Sequence, residues 1–161
     1  MKTYIIFIII VLFANIVNAN DISLIVNGKS IHTNYDSDIK LNEKNIGIGV
    51  QYDFGNIYDK SIFFLNSSKF IDSKNDDSYY ISYGIMKRFM ISEKNNYFHF
   101  DIGIISILML REMDNKLKPI IGLLPIINIG FKDISINTTF IPKINQNGAD
   151  VIFFQLKYLF N

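Results

Sequence analysis

Few side chains in this sequence could act as a base or a nucleophile. The chain contains two histidines, His32 and His99, and no cysteine, which excludes thiolate catalysis and cysteine-based zinc sites. An imidazole can accept a proton near neutral pH, so a histidine near a serine and an acid can support acyl transfer. His32 follows an apolar stretch and is predicted near the outer end of a strand, whereas His99 lies inside a strand pattern. Taken alone, each histidine is more often a hydrogen-bonded structural group than a base.

A second candidate for chemistry is the acid–alcohol pair Asp72 and Ser73, which follows Phe70 and Ile71 where a polar loop begins. By itself this segment predicts a turn, because Asp and Ser side chains hydrogen-bond the nearby backbone. The sequence has no Gly-x-Ser-x-Gly elbow, no paired metal-ligand spacing and no phosphate-binding loop. The residues therefore imply no metal and no cofactor.

The elements that would position these side chains are strands. Segments of about ten residues recur between breaks rich in Asn, Asp or Lys. In the second segment every other residue is apolar, namely Ile46, Ile48, Val50, Tyr52 and Phe54. The pattern predicts eight strands, over residues 23–35, 45–54, 61–70, 78–90, 97–110, 120–131, 134–141 and 150–160.

Alternation alone does not distinguish a soluble lipocalin-like or sandwich fold, whose apolar face points inward, from a membrane barrel, whose apolar face meets lipid. Strands of spanning length, an export signal and a final strand dense in aromatic residues favour the barrel. Tyrosines near strand ends or on apolar faces are typical of interfacial girdles; they are Tyr52, Tyr79, Tyr83, Tyr97 and Tyr158. We therefore expect an all-β, eight-stranded antiparallel transmembrane β-barrel.

The amino terminus predicts export. Lys2, an apolar stretch over residues 4–17 and then Asn18 and Ala19 are typical of a cleaved signal peptide, so we expect residues 1–19 to be the signal and residues 20–161 one domain. An uncleaved anchor is the alternative, but about 14 mostly apolar residues fall short of the roughly 20 that a spanning helix needs. The net charge of +1, from 16 basic and 15 acidic residues, indicates no nucleic-acid partner.

These pieces together resemble the lipid A palmitoyltransferase (PagP) family. Its Phe-x-Asp-Ser segment and the Tyr-Gly pair that follows are matched by Phe70, Ile71, Asp72, Ser73, Tyr83 and Gly84. Weaker matches are Asn42, Glu43, Gly47 and Gly49, then Phe98, His99, Arg111 and Glu112. The three prolines also match, and two of them stand in Leu123-Leu124-Pro125 and Phe140-Ile141-Pro142.

The resemblance implies a monomeric barrel in the cell outer membrane that transfers a palmitoyl chain from a glycerophospholipid to lipid A, without a cofactor or metal. It places the catalytic residues at His32, Asp72 and Ser73, with His32 as the base. It also implies substrate-binding roles for Gly84, at the floor of an acyl pocket, and for Pro125 and Pro142, which would frame a lateral opening because a proline removes a ladder hydrogen bond. A covalent acyl-enzyme and direct attack by a lipid A hydroxyl both remain open. A non-enzymatic barrel with a structural or lipid-binding role is the alternative function.

Overall fold

The computed structural model describes residues 21–35, 40–54, 60–91, 97–113, 116–143 and 148–160, so the expected signal peptide over residues 1–19 lies outside the described part. All eight predicted strands are confirmed. They are β1 (Asp21–Thr33), β2 (Lys44–Phe54), β3 (Ser61–Ile71), β4 (Asp77–Met90), β5 (Phe98–Met113), β6 (Lys116–Phe131), β7 (Ile134–Ile141) and β8 (Asp150–Phe160). Within the described ranges, no helix combines the length and the apolar character that crossing a membrane requires.

Each strand pairs antiparallel with the next, and β8 pairs with β1, so the sheet closes into a barrel. Closure removes the open sheet edges, whose unpaired backbone groups would be costly in hydrocarbon. The predicted eight-stranded antiparallel barrel is therefore confirmed. We call the end that carries the β1–β2 and β3–β4 connections the upper end, and the end with the start of β1 and the finish of β8 the lower end.

The strand bounds differ from the prediction at the upper end. β1 stops at Thr33, two residues early, because Asn34 adopts a positive φ of 54°, outside the extended region. β5 and β6 run beyond the predicted limits, and their ladder continues through Leu110 opposite Pro119 to Met113 opposite Lys116. Charged residues near these strand ends interrupt the alternation of apolar and polar residues from which the strands were predicted. Side chains beyond the apolar part of the outer surface need not be apolar, so the strands can continue through them.

The outer surface of the barrel is an apolar belt. Aliphatic side chains that alternate along the strands are more than one-third exposed, among them Ile46, Ile48, Val50, Ile102, Ile104, Ile121 and Leu123. Around the lower end they give way to aromatic rings in contact, including Tyr52 with Phe54, Phe89 with Phe100, Phe98 with Phe131 and Tyr158 with Phe160. An apolar band bounded by aromatic rings is the surface that a barrel presents to a bilayer.

A β-bulge in β1 decides which of its side chains face the interior. The register with both neighbouring strands shifts just after Asn27. Below the shift the buried side chains are odd-numbered, and above it they are even-numbered: Ser23, Ile25 and Asn27, then Ser30 and His32. One extra residue in a strand reverses the inward and outward faces beyond it. The bulge therefore directs His32 into the barrel.

The lower half of the interior is filled by a polar network. Arg88 donates two hydrogen bonds of 2.9 Å to Asp101, whose side chain is fully buried, and Lys157 pairs with Asp53. Neighbouring amides, hydroxyls and an imidazole join them, namely Gln51, His99, Asn128, Ser135 and Asn137. Because these charges are paired, they can remain buried. They close the lower end of the barrel.

The bulge predicts a labelling pattern for single cysteines, which are unambiguous because the chain has none of its own. A membrane-soluble maleimide should modify Val26→Cys and Ile31→Cys, whose side chains face outward, and should spare Asn27→Cys and Ser30→Cys, which face inward. Mass spectrometry of the refolded variants gives the extent of labelling. Modification of Ser30→Cys with protection of Ile31→Cys would show an unbroken strand and contradict the bulge.

Candidate active site

The upper end of the barrel brings His32 and Ser73 into contact. The Nε2 atom of His32 lies 2.7 Å from the Oγ atom of Ser73. His32 is the penultimate residue of β1, and Ser73 stands in the turn between β3 and β4, so the contact bridges across β2. An imidazole nitrogen within hydrogen-bond distance of a serine hydroxyl is the arrangement that general-base activation of an alcohol requires.

Asp72 holds the turn that carries Ser73. Its Oδ1 atom accepts hydrogen bonds from the backbone N–H groups of Lys74, at 2.7 Å, and Asp76, at 3.2 Å. Its Oδ2 atom accepts from Arg111 Nε at 2.7 Å and from the Ser78 hydroxyl at 3.3 Å, and Arg111 Nη2 lies 2.6 Å away. The carboxylate thereby fixes the turn through Oδ1 and accepts both guanidinium nitrogens of Arg111 at Oδ2.

The carboxylate that approaches the histidine is that of Glu43. Its Oε1 atom lies 4.0 Å from His32 Nδ1, while the contacts of Asp72 among the described residues do not include His32. Glu43 is held opposite β1 by the hydrogen bond from Ser30 N–H to its backbone carbonyl, at 2.9 Å. The carboxylate of Glu43 therefore faces the imidazole nitrogen that does not contact Ser73.

A cavity extends from this pair into the upper half of the barrel. Polar groups stand at its mouth, namely Ser30, Asn45, Asp72, Ser73 and Arg111. Below them the wall is mainly apolar and includes Phe64, Phe70, Ile105, Ile107, Met109, Leu124, Ile126, Ile141 and Phe153. The lining runs from residue 72, just after the end of β3, down to residue 64 on β3. In a strand tilted by about 40°, these eight steps along the chain give the cavity a depth of about 20 Å along the barrel axis.

Gly84 lies beneath the floor of this cavity. It is buried on the inward face of β4, and the ring of Phe64 covers it. A Cβ atom at position 84 would stand 2.4 Å from Phe64 Cζ and 2.8 Å from Ile105 Cγ2. The absence of a side chain at Gly84 therefore leaves the space in which the Phe64 ring lies, and the cavity begins above that ring.

The barrel wall is incomplete between β6 and β7 beside the cavity. Their ladder runs from Phe131 opposite Ile134 up to Ile126 opposite Thr139, and Pro125 is the next residue of β6. Among the described residues, β6 continues upward to Lys116 paired with β5 alone, while Pro142 immediately follows the end of β7. Within these described ranges, the two strands form a seam without a backbone ladder above Ile126, and both prolines lie along it.

Comparison with known proteins identifies the family. A family model described as antimicrobial peptide resistance and lipid A acylation protein PagP matches residues 13–157, which is most of the chain. The chain belongs to the PagP family. It is therefore an outer-membrane protein of a family associated with lipid A acylation, in agreement with the closed barrel and its apolar belt. At the level of the family, the expected acyltransferase activity is supported.

The solved structure of Neisserial surface protein A supports the fold of this PagP family member. Neisserial surface protein A is 10% identical with a TM-score of 0.51, and the likeness covers 88% of this chain and 96% of that one. The attachment invasion locus protein Ail of Yersinia pestis is 14% identical with a TM-score of 0.47, covering 88% and 97% of the two chains. No curated protein sequence matches the chain.

The PagP resemblance singled out six site residues, and the structure places all of them in or around the upper half of the barrel. It brings His32 and Ser73 together, with Asp72 beside them; Gly84 lies under the floor, and Pro125 and Pro142 flank the seam. Sequence reasoning assigned no role to Ser30 or Asn45, although Ser30 shares a strand face with His32. It noted Arg111 and Glu43 only as weak matches, because their partners are distant in sequence.

In the described part of the chain, no group of three His, Asp or Glu side chains is arranged to hold a metal ion. The chemistry that the site offers is that of an imidazole, a hydroxyl and two carboxylates.

Proposed function

We propose that this protein is a phospholipid:lipid A palmitoyltransferase. The observation that carries the proposal is the His32–Ser73 hydrogen bond of 2.7 Å at the mouth of an apolar cavity. An imidazole–hydroxyl pair serves acyl transfer, and the cavity provides a place for the chain that is transferred. Membership of the PagP family supports lipid A as the acceptor.

The cavity suits a single acyl chain of the length found in one leaflet. A hydrocarbon core of about 30 Å allots about 15 Å to each leaflet, and the cavity is about 20 Å deep by strand geometry. An extended palmitoyl chain with its methyl end on Phe64 would place its ester at the polar mouth. The aliphatic walls would keep the chain out of water, as the bilayer does, so the chain would avoid the cost of about 0.8 kcal/mol for each CH₂ group that is exposed to water.

Entry through the β6–β7 seam is part of the proposal. A phospholipid in the bilayer meets the belt of the barrel, and the seam above Ile126 requires no ladder hydrogen bond to break. The part of the seam above Ile126 borders the cavity, and the residues that line it there are Ile121 and Gly122 on β6 and Ile141 on β7. A chain can thus pass sideways between Pro125 and Pro142 while its headgroup stays at the surface.

In the chemical step, the attacking oxygen is that of Ser73 or of a lipid A hydroxyl. It forms a bond to the ester carbonyl carbon as its proton passes to His32 Nε2. The bond from that carbon to the glycerol oxygen then breaks, and the departing oxygen takes the proton back. Where Ser73 has attacked, a lipid A hydroxyl next attacks the acyl-serine ester, its proton passes to His32 Nε2, and the bond to the Ser73 oxygen breaks as that oxygen takes the proton. Asp72 keeps the Ser73 turn in place, and Glu43 faces the protonated ring. One ester replaces another, so the step needs positioning and proton transfer alone.

Removal of the imidazole or the hydroxyl should abolish the product. In cells that express the protein, His32→Ala and Ser73→Ala should lower palmitoylated lipid A by about 10²- to 10⁴-fold, the range that a general base contributes. Mass spectrometry of extracted lipid A measures this. Ser67→Ala, on the outward face of β3, is the matched control and should leave the product unchanged. If the wild-type spectrum equals that of cells without the gene, the protein is a non-enzymatic barrel.

A larger residue at the floor should shorten the chain that is transferred. In Gly84→Ala the new methyl would force the Phe64 ring upward into the cavity, because the contact at 2.4 Å is too close. The product should therefore shift from palmitoyl to shorter chains in the lipid A mass spectrum. Ser106→Ala, at an exposed site on the same sheet, is the control. An unchanged chain length in Gly84→Ala would contradict a floor at this position.

A further inference from the structure

Buried polar atoms without partners cluster at the mouth of the cavity. Among the described residues, four buried side-chain atoms have no hydrogen-bond partner in the protein, and three of them lie at the upper end: Ser30 Oγ, His32 Nδ1 and Asn45 Oδ1. Ser30 and Asn45 are 1% and 2% exposed, and both line the cavity. A buried polar group without a partner is costly, so such groups point to a polar part of a ligand.

Ser30 is positioned to meet the same group as the His32–Ser73 pair. Beyond the bulge, Ser30 and His32 face the interior from the same strand, two residues apart, or about 7 Å. Ser73 lines the cavity from the opposite side of β2. Ser30 and Ser73 therefore both line the upper part of the cavity, where a chain extending up from Phe64 would carry its ester, and His32 contacts Ser73 there.

The unpartnered atoms of Ser30 and Asn45 differ in whether they can donate a hydrogen bond to a ligand. The unpartnered atom of Asn45 is the amide oxygen Oδ1, which can only accept, and its amide nitrogen is directed at the carbonyl of Ile71, 2.9 Å away. The hydroxyl of Ser30 can donate. An ester carbonyl needs a donor, and its need grows when negative charge develops on the oxygen during attack. Arg111, which also lines the mouth, directs its Nε and Nη2 atoms at Asp72.

We propose that Ser30 is a further catalytic residue, whose hydroxyl donates a hydrogen bond to the carbonyl oxygen of the acyl donor. This inference rests on the proposed acyl transfer. As the attacking oxygen bonds to the carbonyl carbon, the π electrons move onto the carbonyl oxygen, and the Ser30 O–H stabilises that charge. When the ester bond to glycerol breaks, the electrons return to re-form the carbonyl, so Ser30 keeps its proton throughout.

The test compares Ser30→Ala with Ser30→Thr, which retains a hydroxyl, and with Ser23→Ala. Ser23 is a matched control, because it is also buried and unpartnered on the inward face of β1 but lies at the lower end, away from the cavity. Transfer from a dipalmitoyl phospholipid to purified lipid A is measured with each refolded full-length protein in detergent micelles. Heat-modifiable migration verifies that each barrel has folded.

Ser30→Ala should lower kcat by about 10²- to 10³-fold, as the loss of one oxyanion donor does, with little change in KM. Ser30→Thr should recover most of the activity, and Ser23→Ala should match the wild type. A folded Ser30→Ala variant with wild-type kcat, or a loss confined to KM, would overturn the role of Ser30 while leaving the acyltransferase proposal intact. A folded wild-type barrel without transfer would overturn both.

Discussion

Closure of the backbone hydrogen-bond ladder is the constraint on which this structure depends. A chain surrounded by hydrocarbon must satisfy its N–H and C=O groups internally, because each unsatisfied group costs several kcal/mol. Eight antiparallel strands with β8 paired to β1 meet that requirement. The same number of strands leaves an interior just wide enough for side chains or for one slender ligand. The residues that face inward therefore decide whether the interior of the barrel is filled by side chains or contains a cavity for a ligand.

In this barrel the lower half of the interior is filled and the upper half contains a cavity. Below, paired charges such as Arg88 with Asp101 fill the space and tie several strands together. Above, aliphatic and aromatic side chains form most of the wall of a cavity, with polar groups at its mouth and a few more, such as Asn66, Ser82 and Gln155, along the wall. The bulge after Asn27 connects the two halves, because it reverses the faces of β1 and so places Ser30 and His32 over the cavity. Chemistry at the mouth thus depends on a local irregularity in one strand.

The strands and the barrel were predictable from the sequence because period-two alternation with spanning length carries that information in each segment. The residues His32, Asp72 and Ser73 could be selected only through the family resemblance, since a lone histidine and an Asp-Ser turn are common. The pairing of Asp72 with Arg111 and the approach of Glu43 to His32 arise from contacts between distant strands. The bulge could not be predicted from the sequence, because a single extra residue leaves the apolar content of β1 almost unchanged.

The central claim is that the cavity holds one acyl chain with its methyl end at the floor and its polar end beneath His32. The most direct measurement is of intermolecular NOEs between palmitate and isoleucine methyl groups of the refolded protein in deuterated detergent. The terminal methyl of palmitate is expected to show NOEs to Ile105 and Ile126, which lie at the lower end of the cavity. NOEs restricted to outward residues such as Ile48 and Ile104, with none at the floor, would contradict the account.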